Sequence, residues 1–402
     1  MSVRRVQIAD IAEIVTKGTT PTTLGRRFTE SGVNFIKAEA LNGDSGLDTS
    51  GLSFIDEETH GLLGRSILEE DDVLVTIAGA QVGKCGYVKA EHLPANTNQA
   101  VGIVRVRRDK AVPRFVYYFF KHPSTFALCQ GLGSQSAQPN VNLTILKSIQ
   151  MRLPSMETQE KTASILSAYD DLIENNRRRI QLLEQTVRLL YKEWFVRLRF
   201  PGHEHVKIKD GVPEGWERVP ISGVCEDIRE QVDPSEVDPN MPYIGLEHIP
   251  RRSITLADWG AAAEVGSSKF RFVAGDFLFG KIRPYFHKVG VALTDGITSS
   301  DAIVLRPLES TLYEYSLFMV SSDEFVALAS KTVREGSKMP RADWKYLSAQ
   351  RFLIPPRELL GVFASTARAI IDQLKVLALQ NRQLARARDL LLPRLMNGEI
   401  AA

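Results

Sequence analysis

Hydrophobic and polar positions fall into two kinds of pattern, and each kind occurs twice. From about Ser155 to Phe195 apolar residues recur every three and four positions. In heptad register the a positions are Leu166, Ile173, Ile180, Val187 and Trp194, and the d positions are Tyr169, Asn176, Leu183 and Leu190. That spacing predicts a long helix with a coiled-coil seam. Glu157 and Glu160 stand in its opening turns, where the helix dipole favours acids. A second stripe, within roughly Leu359 to Met396, runs through Ile370, Leu374, Leu377, Asn381, Leu384, Arg388, Leu391 and Leu395. Each stripe carries one central asparagine, Asn176 and Asn381. A buried asparagine in such a seam costs stability but fixes the register, because few alignments let its amide find a partner.

The stretch before each helix is different. Short β-branched and aromatic runs, punctuated by Gly, Pro, Asn and Asp, predict strands in a loop-rich mixed sheet. They include Val73 to Ile77, Gly86 to Val88, Val101 to Val106, Phe277 to Phe279, Val289 to Leu293 and Ile303 to Leu305. Short helices are predicted around Pro113 to Lys121 and Leu312 to Ser321.

The two halves echo each other. Val6-Gln7-Ile8 answers Val219-Pro220-Ile221, Asp72-Val73-Leu74 answers Asp276-Phe277-Leu278, and Pro139 and Pro154 answer Pro340 and Pro355. One order of matched features over most of the chain indicates duplication. The predicted fold is α+β: two tandem mixed-sheet domains, each followed by a long helix. If a pseudo-twofold axis relates the halves, the helices pair antiparallel with the two asparagines near one level. The alternative is that each stripe faces its own domain. The expected layout is 1–150 for the first domain, 151–200 for its helix, 201–355 for a linker and second domain, and 356–402 for the last helix. About 39 helical residues would make a rod of roughly 58 Å.

Charge adds little in bulk: 50 Lys plus Arg against 48 Asp plus Glu leave a net charge of +2. Any nucleic-acid surface must therefore be a local patch. A hydrophobic fraction of 44% is that of a folded globular chain. Three scattered cysteines, Cys85, Cys129 and Cys225, fit a reducing compartment and give no disulfide scaffold. With no apolar run long enough for a membrane span, the expectation is a cytoplasmic protein.

Catalytic signatures fail one by one. Ala78-Gly79-Ala80-Gln81-Val82-Gly83-Lys84-Cys85 superficially resembles a P-loop, but Ala78 stands where the first glycine belongs and Cys85 where Ser or Thr would hold Mg²⁺. No Asn/Asp-Pro-Pro-Tyr/Phe tetrapeptide of an amino-methyltransferase occurs. His203 and His205 have no further ligand at metal spacing. These absences favour a binding protein over an enzyme, with no catalytic and no metal residue nominated.

Local charge is more informative. Gly280-Lys281-Ile282-Arg283-Pro284-Tyr285-Phe286-His287-Lys288 interleaves cations with aromatics, and Lys331 to Arg351 carries six cations. The matching loops of the first half are polar instead. Arg and Lys suit guanine edges and phosphates, while Asn and Gln suit adenine. The expected DNA contacts are Lys17, Thr19, Thr20, Gln81, Lys84, Gln135 and Gln138 in the first domain. In the second they are Lys281, Arg283, Tyr285, His287, Lys288, Arg334, Lys338 and Arg341. Arg177, Arg178, Arg179, Arg188, Lys192, Arg382 and Arg386 are expected on exposed helix faces, where solvation alone would also account for them.

In its ordered motifs the chain resembles the specificity subunit of a type I restriction-modification enzyme. The segments are Lys17-Gly18-Thr19-Thr20-Pro21, the glycine loop Ala78 to Lys84, Asn98-Gln99-Ala100, Ser136 to Asn142, Leu153-Pro154, Glu157-Thr158-Gln159 and Leu392 to Ile400. The second half departs from the pattern, with Lys281 to Tyr285 replacing the glycine loop. The resemblance implies a subunit without catalytic activity whose two target-recognition domains read a split, asymmetric double-stranded DNA site. It implies that the helices act as a ruler and dock two adenine methyltransferase subunits and the restriction subunits. S-adenosylmethionine, ATP and Mg²⁺ would belong to those partners. The rival readings are a self-contained methyltransferase or nuclease, and an adaptor whose heads bind protein.

Overall fold

A computed structural model describes residues 4–41, 46–49, 51–133, 140–331 and 340–401. The chain divides into two compact units, Met1–Glu174 with Leu384–Ala402, and Asn175–Gln383. Each combines a strand-rich region with stretches of both long helices.

In the first unit the strands are β1 (Arg4–Gln7), β2 (Ala12–Lys17), β3 (Val33–Ile36), β4 (Ser53–Ile55), β5 (Val73–Thr76), β6 (Cys85–Tyr87), β7 (Ala95–Thr97), β8 (Val101–Val106) and β9 (Gln150–Leu153). The central sheet is antiparallel in the order β2-β8-β5-β6, and a smaller sheet runs β4-β3-β7. The apolar runs are unbroken because both sheet faces are covered. Val73 and Val75 enter one core with Phe115 and Tyr118, while Leu74 enters another with Ile36 and Leu68. Strand periodicity of two sends neighbours to opposite faces, so continuous hydrophobicity marks a doubly buried strand.

The second unit repeats this plan with β10 (Ile208–Lys209), β11 (Val212–Pro213), β12 (Glu217–Pro220), β13 (Cys225–Ile228), β14 (Gln231–Val232), β15 (Pro242–Ile244), β16 (Thr255–Leu256), β17 (Gly260–Ala261), β18 (Lys269–Phe272), β19 (Phe277–Gly280), β20 (Val289–Ala292), β21 (Gly296–Thr298), β22 (Ala302–Pro307) and β23 (Arg351–Ile354). Its central sheet has the order β13-β22-β19-β20-β16. Phe277 and Phe279 again share a core that excludes Leu278, which packs with Ile244 and Leu256.

The duplication extends to individual bonds. β1 pairs with β9 as β12 pairs with β23. Asp72 accepts from the Arg105 guanidinium at 2.9 Å, and Asp276 accepts from Arg306 at 2.8 Å. The Thr97 hydroxyl donates to the Ile36 carbonyl at 2.7 Å, and that of Thr298 to the Ile244 carbonyl at 2.6 Å.

The long helices are Met156–Tyr191, continued by a π turn at Lys192–Val196, and Arg357–Met396. They run antiparallel within the first unit. Asp170 meets Arg388 at 2.7 Å, while Ala163 and Leu166, earlier in one helix, share a core with Leu392 and Leu395, later in the other. In the second unit Trp194 and Phe195 pack on Phe363 with ring centroids 5.9 and 4.9 Å apart. The seam and the domain cores are not alternatives. Val187 and Tyr191 join the second unit's core together with Phe363, Ala367 and Leu374. Among the described residues no helix is long and apolar enough to cross a membrane.

Candidate nucleic-acid interface

In the first unit three separate segments meet at one end of the central sheet. β2 ends at Lys17, whose partner on β8 is Gly102. Immediately beyond, the Gly18 N–H donates to the Val101 carbonyl and the Thr19 N–H to the Thr97 carbonyl, both at 3.1 Å. A side chain at Gly18 would put its Cβ 2.2 Å from the Thr97 carbonyl oxygen, so this close approach requires glycine. The Thr20 hydroxyl donates to the Gln99 side chain, and Arg65 donates to the Thr19 hydroxyl at 2.8 Å. From β5 the chain continues into the glycine loop, tied by the Ile77 N–H to the Ala100 carbonyl at 2.8 Å.

That loop is seated on a helical hairpin, Pro113–Lys121 and Pro123–Gly133. Gly83 has a left-handed backbone with φ of 91°, and a Cβ there would meet the Cys129 Cβ at 2.9 Å. Gln81 is exposed and Lys84 half-buried. Ala78 bridges to Asn140, which brings the segment after the hairpin to the same sheet end. Lys17, Thr19, Thr20, Gln81 and Lys84 are thus gathered by adjoining loops. Gln135 and Gln138 lie outside the described residues.

The second unit builds the same corner from different chemistry. β19 ends at Gly280; the Lys281 N–H donates to the Asp301 carbonyl at 2.9 Å, and the Arg283 N–H to the Pro340 carbonyl at 2.8 Å. Ile282 bridges to Arg341, the counterpart of the bridge between Ala78 and Asn140. Arg341 pairs with Asp301 at 3.2 Å. Arg283 and His287, both left-handed at φ of 48° and 54°, bracket a single turn at Pro284–Phe286. Arg283 and Tyr285 are exposed, and Lys281 and Lys288 are half-buried. Burial lowers the pKa of the Lys281 ammonium, with Asp301 opposing the shift. Burial also lowers that of Lys288, aided by neighbouring Arg251.

His287 is placed differently from its neighbours. It is 3% exposed, and its ring is turned inward onto the Ser321 carbonyl. Two helix arginines expected on exposed faces are also engaged. Arg188 bonds to Ser321, and Arg382 stacks 3.5 Å above the Trp259 ring while donating to the Ala257 carbonyl. Tertiary packing takes these long side chains inward, which a helical wheel cannot register. Arg334 and Lys338 lie outside the described residues.

The fold also brings in cations that the sequence did not single out. Arg251 lies 4.2 Å over the Phe286 ring, and the Arg252 N–H donates to the His287 carbonyl at 2.9 Å. Arg65 joins the corresponding corner of the first unit, beside Gln99 of the Asn98-Gln99-Ala100 segment. The adjacent Arg251 and Arg252 were the available signal, but they stand about thirty residues before the loop they join. Among the described residues no group of three or more His, Cys, Asp or Glu is arranged to hold a metal ion.

A duplicated sheet end carrying polar loops in one copy and basic, aromatic loops in the other suits recognition of an extended anionic partner. Residues 3–185 match the model of the type I restriction modification DNA specificity domain. Over 98% of its length the chain is 24% identical to the type I restriction enzyme MjaIX specificity subunit of Methanocaldococcus jannaschii, covering 92% of that protein. The chain is thus similar to type I specificity subunits along nearly its whole length. It is also 22% identical to the HindI specificity subunit of Haemophilus influenzae, over 65% of this chain and 71% of that one. A crystal structure of the type I S subunit from M. genitalium superposes with a TM-score of 0.60 at 13% identity, covering 98% of this chain and 96% of that one. The fold is therefore that of a specificity subunit: tandem mixed-sheet regions with paired long helices.

Proposed function

We propose that this chain is the DNA-recognition subunit of a type I restriction-modification complex and has no catalytic activity of its own. Each of its two sheet ends reads one half of a split, asymmetric site. The observation that carries this reading is the repeated corner. Three loops converge on the end of β2, β8 and β5 in one unit and on the end of β13, β22 and β19 in the other, with different side chains in each. Equivalent geometry with different chemistry is what reading two unlike half-sites requires. Lys17, Thr19, Thr20, Gln81 and Lys84 contact the first half-site, and Lys281, Arg283, Tyr285, Lys288 and Arg341 the second. Gln135, Gln138, Arg334 and Lys338 complete the two sets.

In this reading the helices are the ruler, and Asn176 and Asn381 set its register. Starting from the packed rings of Trp194 and Phe363, eighteen residues back along one helix and eighteen forward along the other reach these two asparagines. Asn176 is buried and Asn381 half-buried. Half-sites on one face of B-DNA lie about 34–36 Å apart per turn. The partners are two adenine methyltransferase subunits and the restriction subunits, which bring S-adenosylmethionine, ATP and Mg²⁺.

The test is selection of binding sites from a random duplex pool by the purified chain. Enrichment of two separated blocks, with affinity falling linearly in log salt, is the expected result. An unenriched pool, or turnover of DNA by the chain alone with Mg²⁺ and S-adenosylmethionine, would overturn it.

A further inference from the structure

His287 belongs to the basic loop of the second unit, yet its imidazole points away from that loop's exposed side. Its Nε2 lies 2.9 Å from the Ser321 carbonyl oxygen, which can only accept, so Nε2 carries the proton and donates. The same oxygen accepts a second bond, from Arg188 Nη1 at 2.7 Å, and Arg188 also reaches the Ser321 hydroxyl at 3.3 Å. Arg188 projects from the first long helix. Ser321, fully buried, closes the helix Tyr313–Val320. One carbonyl therefore receives a donor from the loop and a donor from the long helix.

The loop needs such a hold. Arg283 and His287 both adopt the left-handed backbone that side chains with a Cβ disfavour, and surrounding structure must pay for that conformation. Alongside, the Arg252 N–H donates to the His287 carbonyl at 2.9 Å, the exposed Arg252 and Asp323 side chains pair at 2.9 Å, and Asp323 stands 3.5 Å from His287 Nδ1. Glu184, one turn before Arg188, accepts from the Ile254 N–H at 2.8 Å and the Ser253 hydroxyl at 2.9 Å, close to Arg252 in the chain. The loop is thus fastened to the helix at the Ser321 carbonyl, and the neighbouring segment is fastened to it at Glu184.

We propose that His287 and Arg188 are positioning residues that, through the Ser321 carbonyl, set the orientation of the loop carrying Lys281, Arg283 and Tyr285 against the first long helix. Neither touches DNA; they govern how sharply the second half-site is read. This rests on the DNA-recognition function proposed above.

The test uses the full chain assembled with its partner subunits and five forms: wild type, His287→Asn, Arg188→Met, Arg188→Lys and the double variant of the first two. Asparagine tolerates a left-handed backbone, so His287→Asn removes the ring's bond while sparing the turn. Competition binding is measured against duplexes carrying single base changes in either half-site. Each single variant is expected to lose discrimination by about tenfold at the second half-site, as for one broken buried hydrogen bond, and to keep it at the first. The double variant is expected to lose no more than the worse single one, because both cut the same connection. Arg188→Lys, which keeps one donor, should recover part of the loss. Unchanged second-site discrimination in a folded variant, or equal losses at both half-sites, would overturn the proposal. If one single variant does not fold, the other carries the test. A wild-type complex without sequence preference would instead overturn the DNA function itself.

Discussion

Arg388 of the second long helix lies 2.7 Å from Asp170 of the first, and both side chains are buried. Asp170 also accepts from the Tyr118 hydroxyl at 2.7 Å and pairs with Lys121 at 3.3 Å. Burial opposes the charge on Asp170, but Lys121 and Arg388 outweigh it and hold its pKa below the usual carboxylate range. One acid here serves several cations and joins both helices to the first sheet region.

Asp170→Asn should therefore be the more damaging change at this site. It removes the buried counter-charge from Lys121 and leaves Arg388 to the exposed Asp389, 2.8 Å away, so the cost falls toward the lower end of the about 3–5 kcal/mol of a broken buried pair. Arg388→Met leaves Asp170 with Lys121 and should cost less. Urea unfolding of the two variants checks the order.

Arg283→Ala should weaken binding by about 1–3 kcal/mol and relax one base position in the second half-site. Competition with singly substituted duplexes reads this directly. A uniform loss across all sequences would make Arg283 a phosphate contact.

Replacing both seam asparagines, Asn176→Leu with Asn381→Leu, should raise the thermal midpoint, since an apolar pair packs without amides to satisfy. The cost falls on register. Sites recovered with this variant should show more than one spacer length, and those recovered with the wild type a single one.

Acid should weaken the fold before carboxylates protonate. Burial lowers the pKa of His287, with Arg188 and Arg252 adding to the shift while the Ser321 carbonyl and Asp323 oppose it. Burial alone lowers that of His122. The unfolded chain takes up these protons near pH 6.5, whereas the folded one takes them up only at lower pH. Stability from this source is complete above about pH 6.5 and is lost as pH falls toward the folded pKa. The thermal midpoint should drop between pH 7.5 and 5.5, and His287→Asn should flatten part of that slope.

The long helices and most strands could be read from periodicity because local pattern determines them. Val101–Val106 and Pro113–Lys121 form where the pattern placed them. Arg388 could be seen only as a polar interruption of an apolar stripe. Its partner is 218 residues away and one position off the other seam, and no local signal links the two. His287 shows the same limit from the other side. A run of cations and aromatics reads as surface, yet one member is turned inward by a carbonyl that only the tertiary fold supplies. Arg251 and Arg252 reach the basic loop by a chain path that spacing does not reveal.

Recognition of a split DNA site is tested by methylation-site mapping of DNA from cells that express this chain with its modification partners. Adenine methylation is expected at one bipartite, asymmetric motif with a fixed spacer, and exchange of residues 201–355 for those of a relative should change one block alone. Methylation at a single continuous motif, or change in both blocks after the exchange, would contradict it.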